Sequence, residues 1–224
     1  MHIPRPNIRA RAYSKRSMTL FTFIRHGETD ANRQLRFQGQ IDTPLNANGL
    51  AQAQRLATRL ADVPHDRLFT SDLQRARQTA APLAAAWARP AEPLPALREQ
   101  SFGILEGVPV ADVPALHPDL WAHWLQHQAD FALPGGESLR RFHERVLGAV
   151  RTLAEAHAGE RIAVVTHGGV LDMLWRHANA LPLHGRRDCV IPNTGINRLR
   201  WVGDRLEIEV WADDAHVADL LLPT

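Results

Sequence analysis

Two histidines, each followed by glycine, carry the strongest chemical signal in the chain. The run Phe23-Ile24-Arg25-His26-Gly27-Glu28-Thr29 is echoed downstream by Val164-Val165-Thr166-His167-Gly168-Gly169. Each is an apolar, strand-like segment that ends in a polar residue, then His, then Gly. In an open α/β sheet, ligands bind just beyond the carboxyl ends of the strands. Histidines delivered there from two strands can converge on one small anion. A neutral imidazole can attack phosphorus in line and hold the phosphoryl group covalently, dividing one hard displacement into two easier ones. His26 offers that nucleophile and His167 a second imidazole.

Other residues suit the same chemistry. Phosphoryl transfer asks a protein mainly for positioning and charge neutralisation. Guanidinium is planar, permanently charged and binds phosphate bidentately, so Arg25 and Arg75 fit the oxygens of a transferring group. Asn32 and Gln38 can add side-chain hydrogen bonds, and backbone N–H groups near Gly39 and Gly168 can add more. Gly168 and Gly169 open a helix whose N-terminus favours anions. A general acid must protonate the leaving oxygen and later activate water. Glu99 and Glu106 are the carboxylates on offer, and a sheltered position beside an anion would help either hold its proton. Arg77 reads as a surface cation and Glu28 as a structural or ion-pairing carboxylate.

The elements that would position these groups alternate between strand and helix, which favours an α/β layered fold. Residues 19–24 and 161–166 read as buried strands, and 67–70 as a short one. Helical spacing from Asn48 runs through Leu50, Ala53, Leu56, Ala57 and Leu60. Ser71 or Asp72 can cap a helix reaching about Trp87. A long helix follows Gly135-Gly136-Glu137-Ser138 and ends near Gly159. Residues 196–202 and 206–211 read as a closing hairpin. With 224 residues and 45% hydrophobic content, the chain can bury a core without disulfides. Its single cysteine, Cys189, forbids an intrachain disulfide and points to a reducing, cytoplasmic setting. No apolar stretch is long enough for a bilayer, so no membrane partner is expected.

The formal charge of +2 is unevenly placed. Residues 1–17 hold Arg5, Arg9, Arg11, Lys15 and Arg16 and no acid, so the remainder carries 2 − 5 = −3. This leader is expected to be a disordered tail or a mis-assigned start before Met18. A mildly acidic body suggests no nucleic-acid partner. Residues 18–224 are expected to form one domain, with a helical cap insertion at about 104–136.

The ordered blocks resemble the histidine phosphatase superfamily, in its phosphoglycerate mutase-like branch. They are Arg25-His26-Gly27-Glu28-Thr29 with Asn32; Gln38-Gly39 with Asp42 and Pro44-Leu45; Ser71-Asp72-Leu73 with Arg75-Ala76 and Gln78-Thr79-Ala80; Arg98-Glu99 with Phe102-Gly103 and Glu106-Gly107; Pro134-Gly135-Gly136-Glu137-Ser138; and Thr166-His167-Gly168-Gly169. The resemblance implies a three-layer α/β/α fold with a mostly parallel sheet. It implies Glu99, rather than Glu106, as the acid, and a phosphate-binding role for His167. It is closest to small phosphatases of the broad-specificity or alpha-ribazole type.

A mutase of this kind supplies a lysine and an arginine pair after the acid, and residues 104–136 contain neither Lys nor Arg. A metal-independent, cofactor-free phosphomonoesterase is therefore preferred. It would act on a small phosphorylated metabolite and release inorganic phosphate, as a monomer or homodimer. The alternatives are a 2,3-bisphosphoglycerate-dependent mutase and a regulatory protein phosphatase. His123 and His127, at i and i+4, could share a metal with His117 or Asp130, but read better as a polar cap face. Trp121 and Trp124 either line a substrate pocket or anchor the cap.

Overall fold

The computed structural model describes residues 18–220. The basic leader, including Arg5, Arg9, Arg11, Lys15 and Arg16, and residues 221–224 lie outside the described residues. The centre is one six-stranded sheet in the order β3-β2-β4-β1-β5-β6. Its strands are β1 (Met18–Arg25), β2 (Arg67–Thr70), β3 (Glu92–Pro93), β4 (Arg161–Thr166), β5 (Ile196–Val202) and β6 (Arg205–Asp213). Three pairings are parallel: β1 with β4, β4 with β2, and β2 with β3. The β5–β6 hairpin is antiparallel and joins the sheet antiparallel to β1.

The side-chain period of two builds the layers. Phe21, Phe23, Ile162 and Val164 face one side, packed with Phe142, Val146, Val150, Val170 and Leu174. Those partners lie on α6 (Leu139–Ala156) and α7 (Gly168–Ala178). Ile24, Leu68, Ala163 and Val165 face the other side, against Leu56, Leu60, Ala76, Ala80 and Leu83. These belong to α2 (Ala47–Leu60) and α3 (Gln74–Ala86). Both faces are covered, which is why β1 and β4 read as continuous apolar runs. The three-layer fold is the one expected.

Between β3 and α6 the chain forms short elements only, including α4 (Val113–Leu116) and α5 (Pro118–Trp124). A one-turn helix, α1 (Asp30–Arg33), follows β1. Leu105, Val113 and Leu133 make a small separate core with Phe37, Phe102, Trp121, Trp124 and Phe131.

One local expectation is corrected. Neither Ser71 nor Asp72 caps α3, whose N-cap is Leu73 with no side-chain bond. The backbone N–H of Gln74 is instead taken by the Asp42 carboxylate, from a distant loop. Ser71 and Asp72 are diverted to His167 and Arg98.

Candidate active site

β1 and β4 are parallel neighbours in register, with Arg25 opposite Thr166. Their carboxyl ends therefore set His26 and His167 side by side. The two rings lie 5.2 Å apart at 58°, and both residues are buried. The loop after His26 turns tightly over α2. A β-carbon on Gly27 would fall 2.6 Å from the Gly49 carbonyl oxygen, so only glycine fits.

The tautomer of His26 is fixed by its own loop. Nδ1 lies 2.7 Å from the Gly27 carbonyl oxygen, so Nδ1 carries hydrogen and donates. The Nε2 lone pair is left free. Burial, then Arg75 and Arg25, hold the His26 pKa well below its ordinary value. The imidazole is neutral, which is its nucleophilic form. His167 is depressed by the same causes, with burial first.

Arg75 is fully buried. Its terminal nitrogens donate to the carbonyls of Ile41 and Gly39 at 2.8 and 2.7 Å. Arg25 donates to the Ile191 carbonyl at 2.6 Å, and burial, ahead of Arg187, lowers its pKa to about 10. Arg25 Nε, Arg75 Nε and His167 Nδ1 are buried and have no partner among the described residues. A buried donor without a partner costs roughly 1–3 kcal/mol. Arg25 and Arg75 sit on one cavity, where an acceptor can meet their free Nε–H groups.

That cavity has a volume of about 230 Å³. Arg25, His26, Asn32, Gln38, Gly39, Arg75, Glu99 and Gly168 all line it. Asn32 Oδ1 accepts from the Thr29 N–H, and Gln38 Oε1 accepts from the Thr29 and Thr43 hydroxyls. With their oxygens engaged, both amides keep their N–H groups for a ligand. Gly39 also lines the cavity, and its carbonyl accepts from Arg75.

The two rival carboxylates separate cleanly. Glu106 Oε1 accepts from the backbone N–H groups of Gln40 and Phe102 and does not line the cavity. Glu99 lines it, with Oε1 accepting from Gln100 N–H and Oε2 from Gly169 N–H, both at 2.9 Å. Arg145 braces that loop through the carbonyls of Ala96, Arg98 and Glu99 while Glu137 holds it bidentately. Glu28 accepts from Asn46, a structural use, and Arg77 is exposed.

A second cavity, of about 260 Å³, adjoins the first and shares Glu99, Phe102 and Arg187 with it. Trp124, Phe131, Leu139, Phe142 and Met173 make it apolar. Trp124 thus lines a pocket and also meets Phe37 and Phe102 edge-on, whereas Trp121 packs in the cap core. In the cap, His123 binds the Asp119 carbonyl and stacks on Phe131, and Asp130 is held by Arg140. Among the described residues no three His, Cys, Asp or Glu side chains gather as metal ligands.

Three features were missed in the sequence. Ser71 bonds His167, Arg145 braces Glu99, and Arg187 reaches the cavity from the loop before β5. Ser71 lay inside a recognised block, so its position carried a signal. Arg145 and Arg187 had none.

The profile of the histidine phosphatase superfamily, branch 1, matches residues 21–214. The chain belongs to this superfamily. Phosphoglycerate mutase-like protein 4 of Arabidopsis thaliana is 36% identical over 201 residues, 88% of this chain and 86% of its own length. A metal-independent phosphoserine phosphatase of the same plant is 32% identical, covering 91% and 85%. The solved structure of the alpha-ribazole phosphatase from Shigella flexneri superimposes with a TM-score of 0.79 at 28% identity, covering 87% and 96%. Membership places the chain among histidine phosphatases that hydrolyse phosphomonoesters. Among the described residues, no helix is long and apolar enough to cross a membrane.

Proposed function

We propose that this histidine phosphatase is a metal-independent phosphomonoesterase that works through a phosphohistidine on His26. The observation that carries the reading is the neutral His26 ring, its Nδ1–H tied to the Gly27 carbonyl and its Nε2 free beside Arg25 and Arg75. His26 Nε2 attacks phosphorus, and the bond to the ester oxygen breaks. Glu99 passes its proton to that oxygen. Glu99, now a carboxylate, takes a proton from water; the water oxygen attacks phosphorus, and the P–N bond breaks to release phosphate. Arg25, Arg75, His167, Asn32, Gln38 and the Gly168 end of α7 hold the phosphoryl oxygens.

Glu99 borders both cavities, as an acid at the scissile bond must. The apolar second cavity then takes the leaving group, with Trp124 and Phe131 against it. Of its two cations, Arg176 is already spent on Asp172 and on backbone carbonyls, and Arg187 stands where this cavity meets the first. A mutase must hold a second phosphate and a carboxylate while the acid reorients. The pocket suits release of a small, weakly charged alcohol to water better.

The test is phosphate release from p-nitrophenyl phosphate and a panel of metabolite esters, with chelator present. Wild type should turn over and His26→Ala should not. Activity that persists in His26→Ala, or that vanishes with chelator, overturns the reading.

A further inference from the structure

We propose that Arg187 is a third guanidinium for the transferring phosphoryl group, set in place by Arg176 and Asp172. The proposal rests on the phosphatase reading of the same cavity. Residues 179–195 join α7 to β5 without helix or strand. Even so, this connection is pinned from inside. Arg176 is 5% exposed. It donates to the carbonyls of Pro182, His184, Gly185 and Arg186, and its Nε donates to Asp172 Oδ2 at 3.2 Å. Trp175 Nε1–H holds Asp188 at 2.9 Å, and Arg25 holds the Ile191 carbonyl. Arg187 sits between these anchors, so its backbone is placed although the segment has no regular structure.

Its side chain, by contrast, is 44% exposed and its donors are left to solvent and to whatever enters the cavity. The nearest carboxylate oxygen is Asp172 Oδ1 at 3.8 Å, an ion pair beyond hydrogen-bond reach. No nitrogen of its guanidinium makes a hydrogen bond to any described residue. It lines both cavities beside Glu99. A β-carbon built on Gly168 would lie 3.6 Å from both Arg187 Nη1 and Arg25 Nε. Two guanidinium groups therefore meet over the first residue of α7, with Arg75 on the same cavity. Four arginines, Arg25, Arg36, Arg75 and Arg187, line the cavity with one carboxylate, Glu99; Arg36 is turned to Gln34 and the Gly107 carbonyl, and the repulsion among the cations is relieved when a dianion enters. A phosphoryl group carries three non-bridging oxygens and can accept from Arg25, Arg75 and Arg187.

The experiment compares wild type, Arg187→Gln, Arg187→Lys and His26→Ala. It reads kcat/KM on p-nitrophenyl phosphate, an uncharged alkyl phosphate and a carboxylated phosphate ester. It also reads inhibition and thermal stabilisation by inorganic phosphate. Loss of one charged hydrogen bond predicts a roughly tenfold to hundredfold fall in kcat/KM for Arg187→Gln on all three esters. Phosphate inhibition should weaken in parallel, and Arg187→Lys should recover part of both. Unchanged phosphate inhibition overturns the proposal, and so does a loss confined to the carboxylated ester, which would assign Arg187 to the leaving group. Turnover that survives His26→Ala would remove the phosphohistidine reading of His26 instead. Phosphate stabilisation present in wild type and lost in Arg187→Gln would then still support the contact, and equal stabilisation would overturn it.

Discussion

Ser71 Oγ lies 2.7 Å from His167 Nε2, so that ring nitrogen is engaged inside the protein and Nδ1 is the one left without a partner among the described residues. With Ser71 donating, the neutral ring holds its hydrogen on Nδ1, where it is a buried donor without a protein acceptor. Ser71→Ala removes the hydroxyl and leaves Nε2 buried and unpaired. Stability should fall by roughly 1–3 kcal/mol, and kcat/KM should fall about tenfold or more. Thermal melts and steady-state rates check both, and a variant equal to wild type would deny Ser71 this role.

Glycine at 169 is a requirement of Glu99. A β-carbon there would overlap Glu99 Oε1 and lie 3.0 Å from Phe142 Cε1. Alanine is otherwise the better helix former by about 1 kcal/mol. Gly169→Ala should therefore keep the fold but push Glu99 from the cavity, cutting kcat more than substrate affinity. Normal kcat in a folded Gly169→Ala protein would show that Glu99 can be moved without consequence.

The two histidine motifs and the layered fold were legible because their signals are local. β1 and β4 are apolar runs that stop at His, and a parallel pair in register must bring those ends together. The start of α3 was misread because the Gln74 N–H is satisfied by Asp42, thirty-two positions earlier in the chain. No local pattern shows that Ser71 is held by His167 instead. Glu99 and Glu106 look alike in sequence and each accepts from two backbone N–H groups; only the cavity, which Glu99 lines and Glu106 does not, separates them. Arg187 sits in a segment whose order comes from a guanidinium on a neighbouring helix, so neither spacing nor composition marks it.

Acid should weaken the protein before it alters the carboxylates. Burial is the leading cause that lowers the pKa of His26, His167, His65, His143, His177 and His216 below the ordinary 6.5. The unfolded chain then binds protons below about pH 6.5 that the folded chain refuses, so stability falls as pH falls. Above that pH all are neutral in both states and the contribution is constant. Each unit of depression corresponds to about 1.4 kcal/mol. Denaturant midpoints from pH 8 to 5 should be level at first and then decline, and a rise toward pH 5 would contradict the burial of neutral rings.

Trp124 lines the second cavity and not the first, so the proposed reading has it meet the leaving group and not the phosphate. Trp124→Ala enlarges the apolar cavity, so KM for hydrophobic esters should rise several-fold. Inhibition by inorganic phosphate should be unchanged. A matching loss of phosphate affinity would mean that the two cavities do not divide the substrate as proposed.

The most direct test is to trap the intermediate. Glu99→Gln treated with p-nitrophenyl phosphate, whose leaving group needs little acid help, should be phosphorylated faster than it is hydrolysed. Mass spectrometry of the alkali-quenched protein should then place one phosphoryl group on His26, acid-labile and absent from His26→Ala. A phosphoryl group on another residue, or wild-type turnover with none on His26, would contradict the account.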